Sequence, residues 1–239
     1  MTDPFERDTC PRSQLRLSPQ PLGKGGVGAV YSVVDDNRWV YKEYFEATLS
    51  DPRFDAEALL RAIHWRRGLR HQEREQVSQN LCWPRTAVTH GNRIIGVILP
   101  RIPPRFSHPV DGRPTFRTLD HLFLHPKRLV PLGLKPLPHV VRTALLYGLA
   151  RVLALTERHG IAHGDISAGN VLYAFESQRP SIYLIDCDTV AVGGRGAFAV
   201  RGTPYWQDPR VAERAIDEPD VDSDRYSLGL AFYRIWNRT

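Results

Sequence analysis

His163-Gly164-Asp165-Ile166-Ser167-Ala168-Gly169-Asn170 sits between a helical pattern and an extended one. Upstream, Val140, Val141, Leu145, Leu146, Leu149, Val152, Leu153 and Leu155 recur with the period of a largely buried helix. Downstream, Val171-Leu172-Tyr173 reads as a strand. The eight residues are therefore expected to form a loop held between two packed elements. In such a loop the carboxylate of Asp165 can accept the proton of an attacking hydroxyl, and the amide oxygen of Asn170 can ligate a metal ion. A little further on, Ile182-Tyr183-Leu184-Ile185-Asp186 is an apolar strand ending in an acid, which is where a Mg²⁺-binding carboxylate faces bound phosphates.

Working back toward the N-terminus, Gly23-Lys24-Gly25-Gly26-Val27-Gly28-Ala29-Val30-Tyr31 is rich enough in glycine to lay backbone N–H groups against phosphate oxygens. It lies between two extended runs instead of opening a helix, which fits a nucleotide-covering hairpin and argues against a dinucleotide site. Residues 29–34 and 39–44 alternate in the manner of paired strands around the turn Asp35-Asp36-Asn37-Arg38. Lys42 falls on the second of these strands, from which an ammonium can neutralise two phosphates. Residues 51–77, rich in Ala, Leu, Arg and Glu, predict one long helix. Residues 85–89 and 94–99 predict a second hairpin around His90-Gly91-Asn92-Arg93.

The order of these features, glycine loop, strand lysine, HxDxxxxN, strand-terminal Asp and a late Asp224-Arg225-Tyr226-Ser227-Leu228-Gly229, resembles the protein kinase superfamily over about residues 17–239. Gly96-Val97-Ile98-Leu99-Pro100-Arg101-Ile102 is similar to the hinge of certain bacterial members. The resemblance implies an α+β, bilobal kinase-like fold binding ATP and Mg²⁺ between its lobes. It divides the chain into a flexible tail (1–16), a small antiparallel β-rich lobe with one long helix (17–99), a hinge and connector (100–136) and a mainly helical lobe (137–239) that looks incomplete. Adenine is expected between Leu22, Val30 and Val40 on one side and Leu172 on the other, with Pro100 and Ile102 reading its edge. Gly23, Lys24, Gly25, Gly28 and Lys42 then hold the phosphates, Asn170 and Asp186 hold the metal, and Asp165 is the catalytic base. Lys42 is expected to pair with Glu57 of the long helix, with Glu73 or another register as the alternative. By the same resemblance Asp224 braces the catalytic loop, and Thr203 of Gly202-Thr203-Pro204-Tyr205 hydrogen-bonds near Asp165.

The implied activity is ATP-dependent transfer to a Ser or Thr hydroxyl of a protein substrate. Four departures mark the chain. Gly164 replaces the usual catalytic-loop Arg, and Ser167 replaces the Lys that touches the transferring phosphate. Asp186-Cys187-Asp188 stands for Asp-Phe-Gly, and Asp208-Pro209-Arg210 for Ala-Pro-Glu. They keep two alternatives open: a nucleotide-binding or scaffolding pseudokinase, and a small-molecule kinase related to the antibiotic phosphotransferases, which share the form His-Gly-Asp.

Composition narrows the classes further. At 239 residues, 42% apolar and 24% charged, the chain is long enough for a substantial core. No uninterrupted apolar run long enough to cross a membrane occurs, and the first residues do not resemble a signal peptide, so a cytoplasmic location is expected. Three widely spaced cysteines suggest neither a disulfide framework nor a metal site. The net charge of +6 is densest at Arg66, Arg67, Arg70, His71 and Arg74, yet no nucleic-acid-binding signature accompanies it, and a solvated helix face is expected there. His159 and His163 lack a third ligand at helical spacing, so zinc is not expected.

Overall fold

The computed structural model describes residues 4–176, 179–198 and 202–237. Parts of two expected segments, residues 1–3 of the tail and 177–178, 199–201 and 238–239 of the second lobe, lie outside that range. In chain order the regular elements are β1 (Thr9–Pro11), β2 (Gly23–Lys24), β3 (Gly28–Ser32), β4 (Trp39–Tyr44), α1 (Glu46–Leu49), α2 (Ala56–Gly68), α3 (His71–Asn80), β5 (Thr86–His90) and β6 (Arg93–Pro100). There follow β7 (Ser107–Val110), β8 (Arg113–Phe116), α4 (Pro126–Leu129), α5 (His139–Glu157), β9 (Ile161–Ala162), β10 (Val171–Glu176) and β11 (Arg179–Leu184). The last are β12 (Ala191–Val192), β13 (Arg195–Gly196), α6 (Pro209–Ala212) and α7 (Val221–Asn237). The result is a mixed α/β protein with an antiparallel-rich sheet and several helices, compatible with a kinase-like fold. Contacts divide it into two units, residues 1–101 with 186–199, and residues 102–185 with 200–239.

The first unit is built on a six-stranded sheet in the order β1-β5-β6-β4-β3-β2. All its pairings are antiparallel except β1 with β5, where Cys10 lies beside Val88. Within the stretch expected to be a flexible tail, Thr9–Pro11 form an edge of the sheet. Phe5, Cys10 and Leu15 are buried in one cluster with Val33, Trp39, Tyr41, Val88 and Ile98. Three apolar side chains scattered among polar ones carry no periodicity, so only their distant partners make them core.

The helix expected over 51–77 is two helices. Asp55 caps α2 by accepting from the N–H groups of Glu57 and Ala58. Ala58, Leu59, Ala62 and Ile63 form its buried stripe, each large side chain contributing about 1.5–3 kcal/mol of burial. Gly68 ends it, and Leu69 adopts an extended backbone while remaining buried. The Arg74 guanidinium donates to the carbonyls of Arg67 and Leu69, satisfying groups that the break leaves without helical partners.

In the second unit α5 buries Leu145, Leu146, Leu149, Val152, Leu153 and Leu155 against β11 and α7. By length and composition α5 is apolar enough to cross a membrane, although Arg142, Arg151 and Glu157 interrupt its apolar residues. Those six side chains pack inside the protein, as in any core helix. β10 and β11 form a hairpin with Leu172 opposite Tyr183. The connector contains the β7–β8 hairpin, α4 and three short 3₁₀ turns. Phe106, fully buried, stacks on Tyr183 at 5.2 Å, and Leu119 N–H donates to the Ala168 carbonyl. Proline punctuates this segment without leaving it irregular.

Candidate functional site

The first unit holds the glycine loop and the lysine. β2 and β3 pair through Gly23 with Val30 and Lys24 with Ala29, and the turn between them closes with Gly25 N–H on the Gly28 carbonyl. The Val27 carbonyl is fixed from below by Phe45 N–H and the Thr48 hydroxyl. Gly28 is required by packing, because a Cβ there would meet the Glu43 carbonyl oxygen at 2.2 Å. Gly23, Gly25 and Gly26 have nothing within 4 Å of a built Cβ and no left-handed backbone. Neither packing nor a left-handed backbone demands glycine at these three positions.

Val30 stands opposite Lys42 in the β3–β4 register, and Val40 precedes Lys42 by two residues on β4. All three therefore share one face of the sheet. Lys42 is only 4% exposed. Its Nζ donates to Asp186 Oδ1 at 3.0 Å and to Asp188 Oδ1 at 2.9 Å. Burial alone would pull the ammonium's pKa down, but the carboxylates of Asp188 and Asp186 outweigh it and hold the group above the ordinary lysine range. Asp188 is 1% exposed, and its Oδ2 accepts from the Tyr44 hydroxyl at 3.0 Å. Burial, then the Asp188 charge, drive the Tyr44 phenol well above its usual range, so it stays a donor. Asp186 has φ +57°, a left-handed backbone that Asp tolerates better than most side chains. Its carbonyl accepts from the Thr189 hydroxyl.

The expected Lys42 partner, Glu57, is exposed on the first turn of α2. The pairing is corrected accordingly: the acids on Lys42 come from Asp186 and from Asp188, and the side chain of Glu57 faces solvent. Sequence reasoning treated Asp188 only as a lost glycine and did not single out Tyr44. The available signal was a second acid two residues beyond the strand-terminal one, in a run otherwise apolar.

The second unit holds the loop. Asp165 Oδ1 accepts from both the N–H and the hydroxyl of Thr203, each at 2.8 Å, and Oδ2 accepts from Asn170 Nδ2 at 2.8 Å. Asn170 Nδ2 also reaches the Asp165 carbonyl at 2.9 Å. With its nitrogen spent on Asp165, the Asn170 side chain turns its oxygen the other way. The loop is braced from beneath by Asp224, whose carboxylate accepts from His163 N–H at 2.6 Å and Gly164 N–H at 2.9 Å. Burial raises the Asp224 pKa. His163 Nδ1 accepts from Asp165 N–H while Nε2 lies 2.9 Å from the Ile185 carbonyl, an arrangement satisfied by the neutral ring with its proton on Nε2. Ile185 N–H donates to the Asn170 carbonyl. Ser167 is buried and carries no charge to the surface of the loop.

The remaining candidates divide between the units. Pro100 ends β6 opposite Trp39, and its carbonyl accepts from the Cys82 thiol; the second lone pair of that oxygen remains for another donor. Leu22 is exposed. Ile102 and Leu172 belong to the second unit, Ile102 half-buried and Leu172 fully buried on β10. Among the described residues, no group of three or more His, Cys, Asp or Glu makes a metal site by itself.

No family model matches the chain. Part of it is similar to eukaryotic protein kinases. Serine/threonine-protein kinase TAO3 of Pongo abelii is 34% identical over 112 residues, 46% of this chain and 12% of that protein. Serine/threonine-protein kinase TAO1-A of Xenopus laevis is 32% identical over the same length, 46% of this chain and 11% of the relative. Serine/threonine-protein kinase TAO2 of Rattus norvegicus is also 32% identical, with 46% of this chain and 9% of the relative covered. The chain carries a protein-kinase-related region. It matches about one eighth or less of the length of these relatives.

Proposed function

We propose that the chain is an ATP- and Mg²⁺-dependent phosphotransferase acting on Ser or Thr hydroxyls of a protein substrate, with Asp165 as catalytic base. The observation that carries this reading is the cage around Asp165: two donors from Thr203 and one from Asn170 fix its carboxylate without neutralising it. A base so held is aimed before substrate arrives, which is the positioning that phosphoryl transfer needs. The similarity to Ser/Thr protein kinases supports the same substrate class.

ATP would lay its phosphates under Gly23, Lys24, Gly25 and Gly28 and against Lys42, and its adenine along the face of Val30 and Val40. Asn170 and Asp186 suit Mg²⁺, since each presents a hard oxygen and the ion takes its other ligands from phosphate and water. The bound ion would offset the negative charge of the phosphates. Asp165 accepts the hydroxyl proton while Thr203 keeps its carboxylate in place. A cytoplasmic setting, where ATP is available, goes with this reading.

A second reading, a nucleotide-binding scaffold, is favoured by Ser167, which brings no cation to the transferring phosphate. Incubation with radiolabelled ATP, Mg²⁺ and generic protein substrates tests both. Label that disappears in Asp165→Asn supports the transferase. ATP binding without Asp165-dependent label supports the scaffold, and labelling of small molecules from a metabolite extract in place of protein supports a small-molecule kinase.

A further inference from the structure

Resting on the phosphotransferase reading, we infer that Asp188, and not an acid of helix α2, is the residue that positions Lys42 for the phosphates. Asp186 cannot do this throughout the reaction, because the same carboxylate is proposed to turn to the metal. Asp188 is free of that duty. It is almost wholly buried, its Oδ1 lies 2.9 Å from Lys42 Nζ, and its Oδ2 is claimed by Tyr44. A carboxylate with one oxygen on a buried lysine and the other on a buried phenol has no competing orientation.

The surroundings make the arrangement rigid. Phe198 packs edge-on against Tyr44 at 4.8 Å and lies tilted against Phe54 at 5.4 Å. The Ala197 carbonyl accepts from Asp55 N–H, and Arg195 pairs with the Asp55 carboxylate at 3.2 Å. The segment that carries Asp188 is thereby tied to the N-terminal cap of α2. Helix α2 contributes backbone position and packing, while its first-turn acid, Glu57, is exposed. The lysine is thus held by the same segment that supplies Asp186, and a swing of α2 alone would not release it.

The test combines a double-mutant cycle with nucleotide affinity. Thermal unfolding of Lys42→Met, Asp188→Asn and the pair should show strong coupling. Asp188→Asn lowers the midpoint by about 5–10 °C in the wild-type background, because it leaves a buried cation half-paired, and by much less when Lys42 is Met. Glu57→Gln shifts the midpoint equally little in both backgrounds. Calorimetry with Mg²⁺–ATP should show Asp188→Asn weakening binding about tenfold and Glu57→Gln less than about twofold. Should Asp188→Asn fail to fold, Tyr44→Phe frees one oxygen of Asp188 without removing charge and is expected to weaken Mg²⁺–ATP binding about threefold.

Additive Asp188 and Lys42 effects, or coupling between Glu57 and Lys42, would overturn the inference. So would Mg²⁺–ATP affinity unchanged by Asp188→Asn, which would leave Asp188 a purely structural acid. Wild-type protein that binds no Mg²⁺–ATP would sink the phosphotransferase reading and the phosphate-positioning role with it. The unfolding cycle would still decide whether Asp188 holds Lys42.

Discussion

Thr203 donates its backbone N–H and its hydroxyl to the same oxygen of Asp165, both at 2.8 Å, across 38 residues of sequence. Removing the hydroxyl in Thr203→Ala leaves the backbone bond and the Asn170 bond in place. The carboxylate should then lose aim without losing charge. The expected outcome is a kcat about tenfold lower with ATP affinity unchanged, whereas Asp165→Asn should lower kcat by about 10²–10⁴-fold. Steady-state kinetics and ATP binding on the two variants check this; an equal fall in ATP affinity for Thr203→Ala would contradict it.

The glycines of the loop separate by what surrounds them. Gly28→Ala puts a methyl group 2.2 Å from the Glu43 carbonyl, a backbone atom in a paired strand that cannot step aside. It should cost about 1–3 kcal/mol of stability. Gly25→Ala meets nothing within 4 Å and should leave stability unchanged or higher by up to about 1 kcal/mol, through a stiffer unfolded chain. Its penalty should fall on Mg²⁺–ATP binding, about tenfold weaker. Denaturant unfolding and calorimetry on both variants would expose a mistaken assignment if Gly25→Ala bound nucleotide as well as wild type.

Acid stability should depend on Asp208. Hydrogen bonds from the Arg210 guanidinium, with help from Arg210 N–H and Ser223, hold its carboxyl below the ordinary 3.8. In the unfolded chain the group returns to that value. The native state therefore binds fewer protons in the window just below 3.8, so stability rises with pH through it. The contribution is complete above the window and is lost as pH falls through the folded value. Asp208→Asn keeps the cap on α6, since Asn caps as well as Asp, but abolishes this dependence. Arg210 is 41% exposed on its side chain, so solvent screens the effect and the change in slope should be modest. Unfolding midpoints of both proteins across the acid range measure it.

How much of this was legible in the sequence follows from the distance over which each feature is decided. The loop from His163 to Asn170, the hairpins around residues 35–38 and 90–93 and the apolar stripe of α5 are local patterns, and each was readable. The closure of Thr203 on Asp165 was anticipated only because the order of motifs resembled a known family. The burial of Phe5 and Cys10, the break at Leu69 and above all the bond from Lys42 to Asp188, 146 residues apart, are settled by tertiary partners. The acid run around Cys187 looked like a defect in a motif because one of its two carboxylates had no visible task. The Gly-rich and strand sequence of residues 23–41 points to Lys42, but nothing local to it says which acid it meets.

Gly164 illustrates how a departure from pattern acquires a physical cause. The position usually carries an Arg, and restoring it looks like a route to a faster or regulated enzyme. Here Gly164 has φ +79°, a region that penalises any side chain, and its N–H is already committed to Asp224 at 2.9 Å. Gly164→Arg must either adopt that backbone at a cost of about 1–3 kcal/mol or move the N–H off a buried carboxylate that also holds His163. Relaxation of the second kind would shift Asp165 itself, one residue on. Gly164→Ala carries the strain without the bulk or charge and serves as the reference. Both variants should unfold at lower temperature than wild type, and both should lose kcat more than ATP affinity. A fully stable Gly164→Ala would show that the left-handed backbone is not what excludes the arginine.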